Sequence, residues 1–365
     1  MLQRLAIGID IGGTKVAAGV VDEDGVVLER ARRDTPSTSP TEVENAIAEI
    51  VSDLRSRHVV SAVGIGAAGF VDATRSTVLF APHLAWRHEP LRDAVRRRIG
   101  LSTLVENDAN AAAWAEWRFG AAQNEPNLLC VTLGTGIGGG LVLGGIVHRG
   151  GHGIAGEFGH MQVVRDGHRC ECGNRGCWEQ YASGNALVRE ARELARSRSP
   201  LAQALLDRAG GDPAAITGPL VTEVALSGDP ASVELLGEVG DWLGVGLANL
   251  AAALDPGIFV IGGGVSDAGE LLIGPATIAY RRTLTGRGFR PEVRIVRAHL
   301  GNEAGMIGAA DLARSQARKS RRRSGSRSRS RSRRGELLTP KRGLGLSWQD
   351  QRSTRATSKE YGSGR

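Results

Sequence analysis

Three groups of residues in this chain have types and spacings that could do chemistry. The first is Asn107-Asp108 in Val105-Glu-Asn-Asp-Ala-Asn110, at the head of an Ala-rich stretch that reads as a helix from Asn107 to Phe119. Either residue could cap that helix, since a side-chain oxygen there accepts from a free N–H of the first turn. A carboxylate in the same place is kept ionised by the helix dipole and can take the proton of an attacking hydroxyl. The second is Asp10, which ends an apolar strand just before Gly12-Gly13-Thr14-Lys15. Glycine turns let backbone N–H groups converge on an anion, and a carboxylate beside them can hold Mg²⁺ against phosphate oxygens. The third runs from Glu157-Phe-Gly-His160 to Cys170-Glu-Cys172-Gly-Asn-Arg-Gly-Cys177-Trp-Glu179. Three thiolates and one imidazole suit tetrahedral zinc, and four protein ligands would make the site closed and structural. Spacing leaves the histidine open among His152, His160 and His168, with His160 set apart only by its polar partner Glu157. If His160 is the ligand, its other ring nitrogen is available for a substrate hydroxyl. Cys130 lies in an apolar run and reads as a core residue.

Two further glycine turns, Gly134-Thr135-Gly136 and Gly262-Gly263-Gly264, each follow an apolar run. Gly134, Gly136 and Gly139 have dinucleotide-fingerprint spacing, but a strand, not a helix, follows them, so the Rossmann reading fails. No Gly-Lys-Ser/Thr phosphate loop occurs. The turns are instead expected to cradle phosphates between strands, away from the cysteine cluster. Leu5–Val21 and Leu128–Leu143 share a strand–glycine–strand pattern. Superposed without gaps they set Asp10 on Thr132 and Gly12 on Gly134. This echo predicts a duplicated half.

The elements that must position these groups alternate between strand and helix, which predicts an α/β protein. Val43, Ile47, Ile50 and Leu54 share one face of a helix over Thr41–Arg57, and Ser232–Leu254 reads as a long buried helix ending before Pro256. Asn302–Ala313 is expected to be the last folded helix. At 365 residues, 41% hydrophobic and 23% charged, the chain has enough apolar material for two globular domains. No apolar run reaches the roughly eighteen residues of a membrane span, and the N-terminus lacks the pattern of a secretory signal. Four cysteines are too few for a disulfide framework, so the expected location is cytoplasmic. The net charge of +7 is unevenly spread. Arg314–Arg365 holds 17 of the 46 basic and 3 of the 39 acidic residues, leaving −7 on the body and +14 on the tail. Arg321–Arg334 is an Arg/Ser run that cannot bury enough surface to offset its ordering entropy, so disorder is expected from about residue 317.

Taken together, Asp10-Ile-Gly-Gly-Thr-Lys15, Glu106-Asn-Asp108, Gly134-Thr-Gly136, Glu157-Phe-Gly-His160, the cysteine run to Glu179 and Ile261-Gly-Gly-Gly264 resemble the ROK family of sugar kinases and repressors. The likeness is nearest to its bacterial glucokinases and spans residues 5 to about 315. The resemblance implies a two-domain actin/hexokinase-like (ribonuclease H-like) α/β fold with a central cleft. The smaller domain would be 1–118 and the larger 119–300, with the zinc loop at 157–179, a C-terminal helix at 301–316 and the basic tail at 317–365. It implies phosphorylation of glucose to glucose 6-phosphate by ATP and Mg²⁺, with Asp108 as base and Gly69, Asn107, Asp108, Glu157, His160 and Glu179 around the sugar. Phosphate binding falls to Asp10, Gly12, Gly13, Thr14, Lys15, Gly134, Thr135, Gly136, Gly262, Gly263 and Gly264. It also implies that His160, Cys170, Cys172 and Cys177 hold a structural zinc, and that the chain forms a homo-oligomer, dimer or tetramer.

Rival readings are another hexose (fructose, mannose, allose, N-acetylmannosamine), polyphosphate as donor, or a sugar-responsive regulator. The first strand begins at Leu5, leaving no room for a preceding helix-turn-helix, which disfavours the regulator. The basic tail departs from the family pattern and is expected to bind nucleic acid or acidic partners only without sequence choice.

Overall fold

The strand–glycine–strand units close as hairpins, and each starts a five-stranded sheet. In the computed structural model, which describes residues 4–36, 39–82 and 84–335, with side chains to residue 319, β1 (Leu5–Ile11), β2 (Lys15–Val21) and β3 (Val27–Asp34) form an antiparallel meander. Helix α1 (Pro40–Arg57) crosses to β4 (Val60–Ala67), parallel to β1. Ser39 caps α1, accepting from the Glu42 N–H at 3.3 Å, with Pro40 in the first turn, and Val43, Ile47, Ile50 and Leu54 are its buried face. A small sheet of β5 (Phe70–Val71), β6 (Val78–Phe80) and β7 (Arg87–Glu89) and helix α2 (Leu91–Ile99) lead to β8 (Ser102–Asn107), and α3 (Asp108–Arg118) follows. The first sheet is ordered β3-β2-β1-β4-β8.

The second half repeats this plan. β9 (Leu128–Leu133), β10 (Ile137–Leu143) and β11 (Ile146–Val147) form the meander. Helices α4 (Glu179–Ala182), α5 (Gly184–Arg196), α6 (Gln203–Arg208), α7 (Gly218–Leu226) and α8 (Pro230–Leu254) fill the long crossover. β12 (Ile258–Gly262) returns parallel to β9; α9 (Glu270–Thr283) and the edge strand β13 (Arg294–Arg297) follow. The order β11-β10-β9-β12-β13 matches the first sheet strand for strand. Asp10 is the last residue but one of β1, and Thr132 is the last but one of β9, as the gapless superposition required.

Helix α10 (Ala304–Gly335) then crosses the first sheet. It comes close because β1 and β4 carry glycine where they face it: a Cβ on Gly8 would overlap the Met306 carbonyl, and one on Gly64 the Ala309 carbonyl. Helices α3 and α10 serve both halves. Ala112, Ala115, Ile307 and Ala310 pack with Ala6 and Val21, while Ala113, Leu312 and Ala313 join Leu128, Cys130 and Val260. Cys130 is indeed a core residue, 1% exposed. The end of the chain differs from expectation in two respects. Helix α10 begins two residues later than Asn302, and its backbone runs on to Gly335, past the expected boundary near 317. Ala317 is buried, so the body reaches beyond 316, and its compact unit ends at Lys319. The tail from 336 to 365 lies outside the described residues.

Candidate active site

The strand register explains why residues far apart in sequence meet. Ile11 pairs with Ala67, and Ala67 with Asn107, so β1, β4 and β8 end at one level. Gly12 and Asp108 follow directly after the ends of β1 and β8, and Gly69 lies two residues past the end of β4. One step back, Asp10, Gly66 and Glu106 form a row across the same strands. Asp10 and Asp108 flank Gly66: a Cβ there would be 3.7 Å from both Asp10 Oδ1 and Asp108 Cα, an ordinary contact distance.

Asn107 is both cap and tether. Its Oδ1 accepts from the Asn110 N–H at 2.9 Å, while its Nδ2 donates to the Gly69 carbonyl at 3.2 Å and to Asp108 Oδ1 at 3.0 Å. Asn107 thus caps α3 with one end of its amide and holds the Asp108 carboxyl with the other. Burial pushes the Asp108 carboxyl above its ordinary range. Burial, reinforced by the Asp108 charge, pushes Asp10 up to about 7. Glu157 is pushed up to about 7 by burial and then by Asp108 and Glu179. Asp108 is thus close enough to act electrostatically on both Asp10 and Glu157, an acidic surrounding that favours a cation or hydroxyl donors. A cavity of about 320 Å³ opens beside Asp10, between Ala17, Arg32, Asn302 and Met306.

The sulfur cluster lies alongside. His160, Cys170, Cys172 and Cys177 bring their donor atoms within 4.8 Å of one another. Among the described residues His152 and His168 are not in the group; His168 stacks on Tyr181 at 5.3 Å instead. Cys172 and Cys177 sulfurs are 3.6 Å apart, and Cys170 Sγ is 3.6 Å from His160 Nδ1. Tetrahedral zinc would separate its ligand atoms by about 3.6 Å for N–S and about 3.8 Å for S–S pairs, so the donor set fits that metal. The segment is anchored by Trp178, fully buried, whose indole N–H donates to the Trp242 carbonyl at 2.8 Å. Glu179, next in sequence, lies with Oε1 at 3.1 Å from Cys170 Sγ and 3.5 Å from His160 Nδ1.

One expectation is corrected here. The second glycine turn was expected away from the cysteine cluster, yet it abuts Glu179. Ile137 N–H donates to Glu179 Oε2 at 3.4 Å, and a Cβ on Gly136 would lie 2.5 Å from that oxygen. Gly134 is tied to the head of α5, its carbonyl accepting from the Gly184 N–H at 2.8 Å, and Gly263, at φ 80°, lies against the Leu133 backbone. The first turn stands at the end of β1, with Thr14 and Lys15 exposed and the Gly12 carbonyl accepting from Thr35 Oγ1 at 2.9 Å.

Residues 6–316 match the family model described as "ROK family". The chain belongs to the ROK family. Over 310 residues it is 50% identical to the glucokinase of Streptomyces coelicolor, covering 85% of this chain and 98% of that protein. A ROK-family glucokinase from Streptomyces griseus, solved with glucose and AMPPNP, superposes with a TM-score of 0.80 at 52% identity, covering 85% of this chain and 99% of that one. The xylose repressor of Bacillus spizizenii is 29% identical over 261 residues, which cover 70% of this chain and 63% of the repressor. The doubled sheet is the two-part actin- and hexokinase-like architecture of ROK kinases. Among the described residues no helix is long and apolar enough to cross a membrane.

Sequence reasoning missed two arginines of this ROK site. Glu106 was noted only as a neighbour of Asn107. It is fully buried, with Arg149 Nε at 2.8 Å from one carboxylate oxygen and Arg75 Nε at 2.8 Å from the other. Only the argument that a buried carboxylate needs a partner could have flagged them.

Proposed function

We propose that this chain is an ATP-dependent glucokinase that transfers the γ-phosphoryl group to the 6-hydroxyl of glucose. The observation that carries the reading is the Asn107 amide, which fixes a half-buried Asp108 carboxylate at the start of α3 beside Gly69. Asp108 accepts the hydroxyl proton as the sugar oxygen attacks phosphorus; its upward shift brings it nearer the working pH a general base needs. Asn107, Glu157, His160 and Glu179 hold the other hydroxyls, and Gly69 borders the ring. The turns at Gly12, Gly13, Thr14 and Lys15, at Gly134, Thr135 and Gly136, and at Gly262, Gly263 and Gly264 hold phosphates through backbone N–H groups, with the Lys15 ammonium adding charge. Asp10 is placed to hold Mg²⁺, which when bound offsets phosphate charge. His160, Cys170, Cys172 and Cys177 hold the structural zinc. Cysteines used as zinc thiolates and ATP as the donor support a cytoplasmic location.

A coupled ADP-release assay over a panel of hexoses and N-acetylhexosamines, run with ATP and with polyphosphate, tests acceptor and donor together. Glucose with ATP is expected to give the highest kcat/KM; a higher value for another sugar or donor would replace the reading.

The tail is outside the catalytic body in this proposal. Arg314 and Ala317 are buried whereas Arg318 and Lys319 are exposed, so the cut belongs after Lys319. Truncation there is expected to leave turnover and Tm unchanged while removing any salt-sensitive binding to DNA or RNA. A drop in Tm on truncation would show that residues beyond Lys319 support the fold.

A further inference from the structure

Arg149 lies in the loop between β11 and Glu157, and it reaches across to the first half of the chain. Its side chain is 8% exposed and every polar contact it makes there is to another segment. Nε donates to Glu106 Oε1 at 2.8 Å. Nη1 donates to the carbonyls of Asp72 at 3.0 Å and Ala73 at 3.2 Å, and Nη2 to that of Val71 at 3.1 Å. The turn so held follows Gly69 and is stiff in itself, with Asp72 Oδ1 accepting from the Ser76 and Thr77 N–H groups at 2.8 and 2.9 Å. Glu106, in turn, accepts from the Asn107 N–H at 3.0 Å and from Asn110 Nδ2 at 3.3 Å. The loop also meets the turn at Gly153, where a Cβ would lie 2.6 Å from the Ala73 nitrogen. A guanidinium can make these contacts at once because its five donors form a rigid planar fork.

We propose that Arg149 is a positioning residue for phosphoryl transfer, locking into one frame the loop that leads to Glu157 and His160, the turn after Gly69, and the Asn107–Asp108 start of α3. The proposal rests on the glucokinase reading for its catalytic consequence, but not for the clamp itself. Arg149 touches no reacting atom in this scheme; it acts through Glu106 and three carbonyls. Small displacements of a positioned base or acceptor cost on the order of a hundredfold in rate.

The test compares full-length Arg149→Met, Arg149→Lys and Glu106→Gln with the parent by hydrogen–deuterium exchange and by kinetics. Arg149→Met is expected to raise exchange jointly in residues 69–77, 104–110 and 149–160, leaving β9, β12 and α8 as protected as before. Its kcat is expected to fall about a hundredfold, with the ATP KM little changed. Arg149→Lys keeps the charge but not the fork, so it should restore only part of kcat; it also stands in if the Met variant does not fold. The Met and Gln changes combined should cost no more than the worse of the two alone, since both break one network. Exchange changes confined to 149–155, or near-parental kcat in a folded Arg149→Met protein, would overturn the proposal. If the parent phosphorylates no sugar, the functional reading fails, and the exchange pattern alone decides the clamp.

Discussion

Asp108→Asn is expected to lower kcat by about a hundred- to ten-thousandfold, the usual contribution of a general base, while glucose still binds. The substitution preserves size and keeps a carbonyl oxygen where Asp108 Oδ1 accepts from Asn107 Nδ2 at 3.0 Å. The cap at Asn110 is untouched because it uses the other end of the Asn107 amide. What is lost is the ability to hold a proton. Steady-state kinetics together with calorimetric glucose binding separate the two effects: near-parental turnover would remove Asp108 from the mechanism. Loss of glucose binding as well would instead make its main role hydroxyl recognition.

Cys172→Ser is expected to release the zinc and to raise the glucose KM about a hundredfold or abolish activity, by displacement of groups that position the sugar. Cys172 is exposed, so the serine itself is tolerated sterically. Without the metal, His160 Nδ1 and Cys170 Sγ, 3.6 Å apart, keep only a weak sulfur contact and their contacts to Glu179. Glu179, against both, shifts with them. Gly136 borders Glu179, so nucleotide affinity should weaken too, though less than sugar affinity, because the turn at Gly12 is on the other sheet. Elemental analysis should find one zinc per parental chain and none in the variant. A metal-free protein with unchanged glucose KM would break the link between cluster and sugar site.

Much of this protein was determined locally and was therefore legible in its sequence. The hairpins at Gly12 and Gly134 need only an apolar run, a flexible turn and a second run. Their repetition gave away the doubled sheet, with Asp10 and Thr132 in equivalent places. The start of α3 was legible because Asn and Asp cap helices through atoms of their own first turn. Three cysteines within eight residues suggest a metal set from spacing alone. Pairings between distant segments were not legible. Neither the choice of His160 over His168, nor Glu179 against Gly136, nor Arg149 and Arg75 on Glu106 follows from spacing. Each depends on which strand ends lie level and which loops fold over them. A buried charge takes whatever partner packing delivers, and in a chain of many arginines only the tertiary structure decides which one arrives.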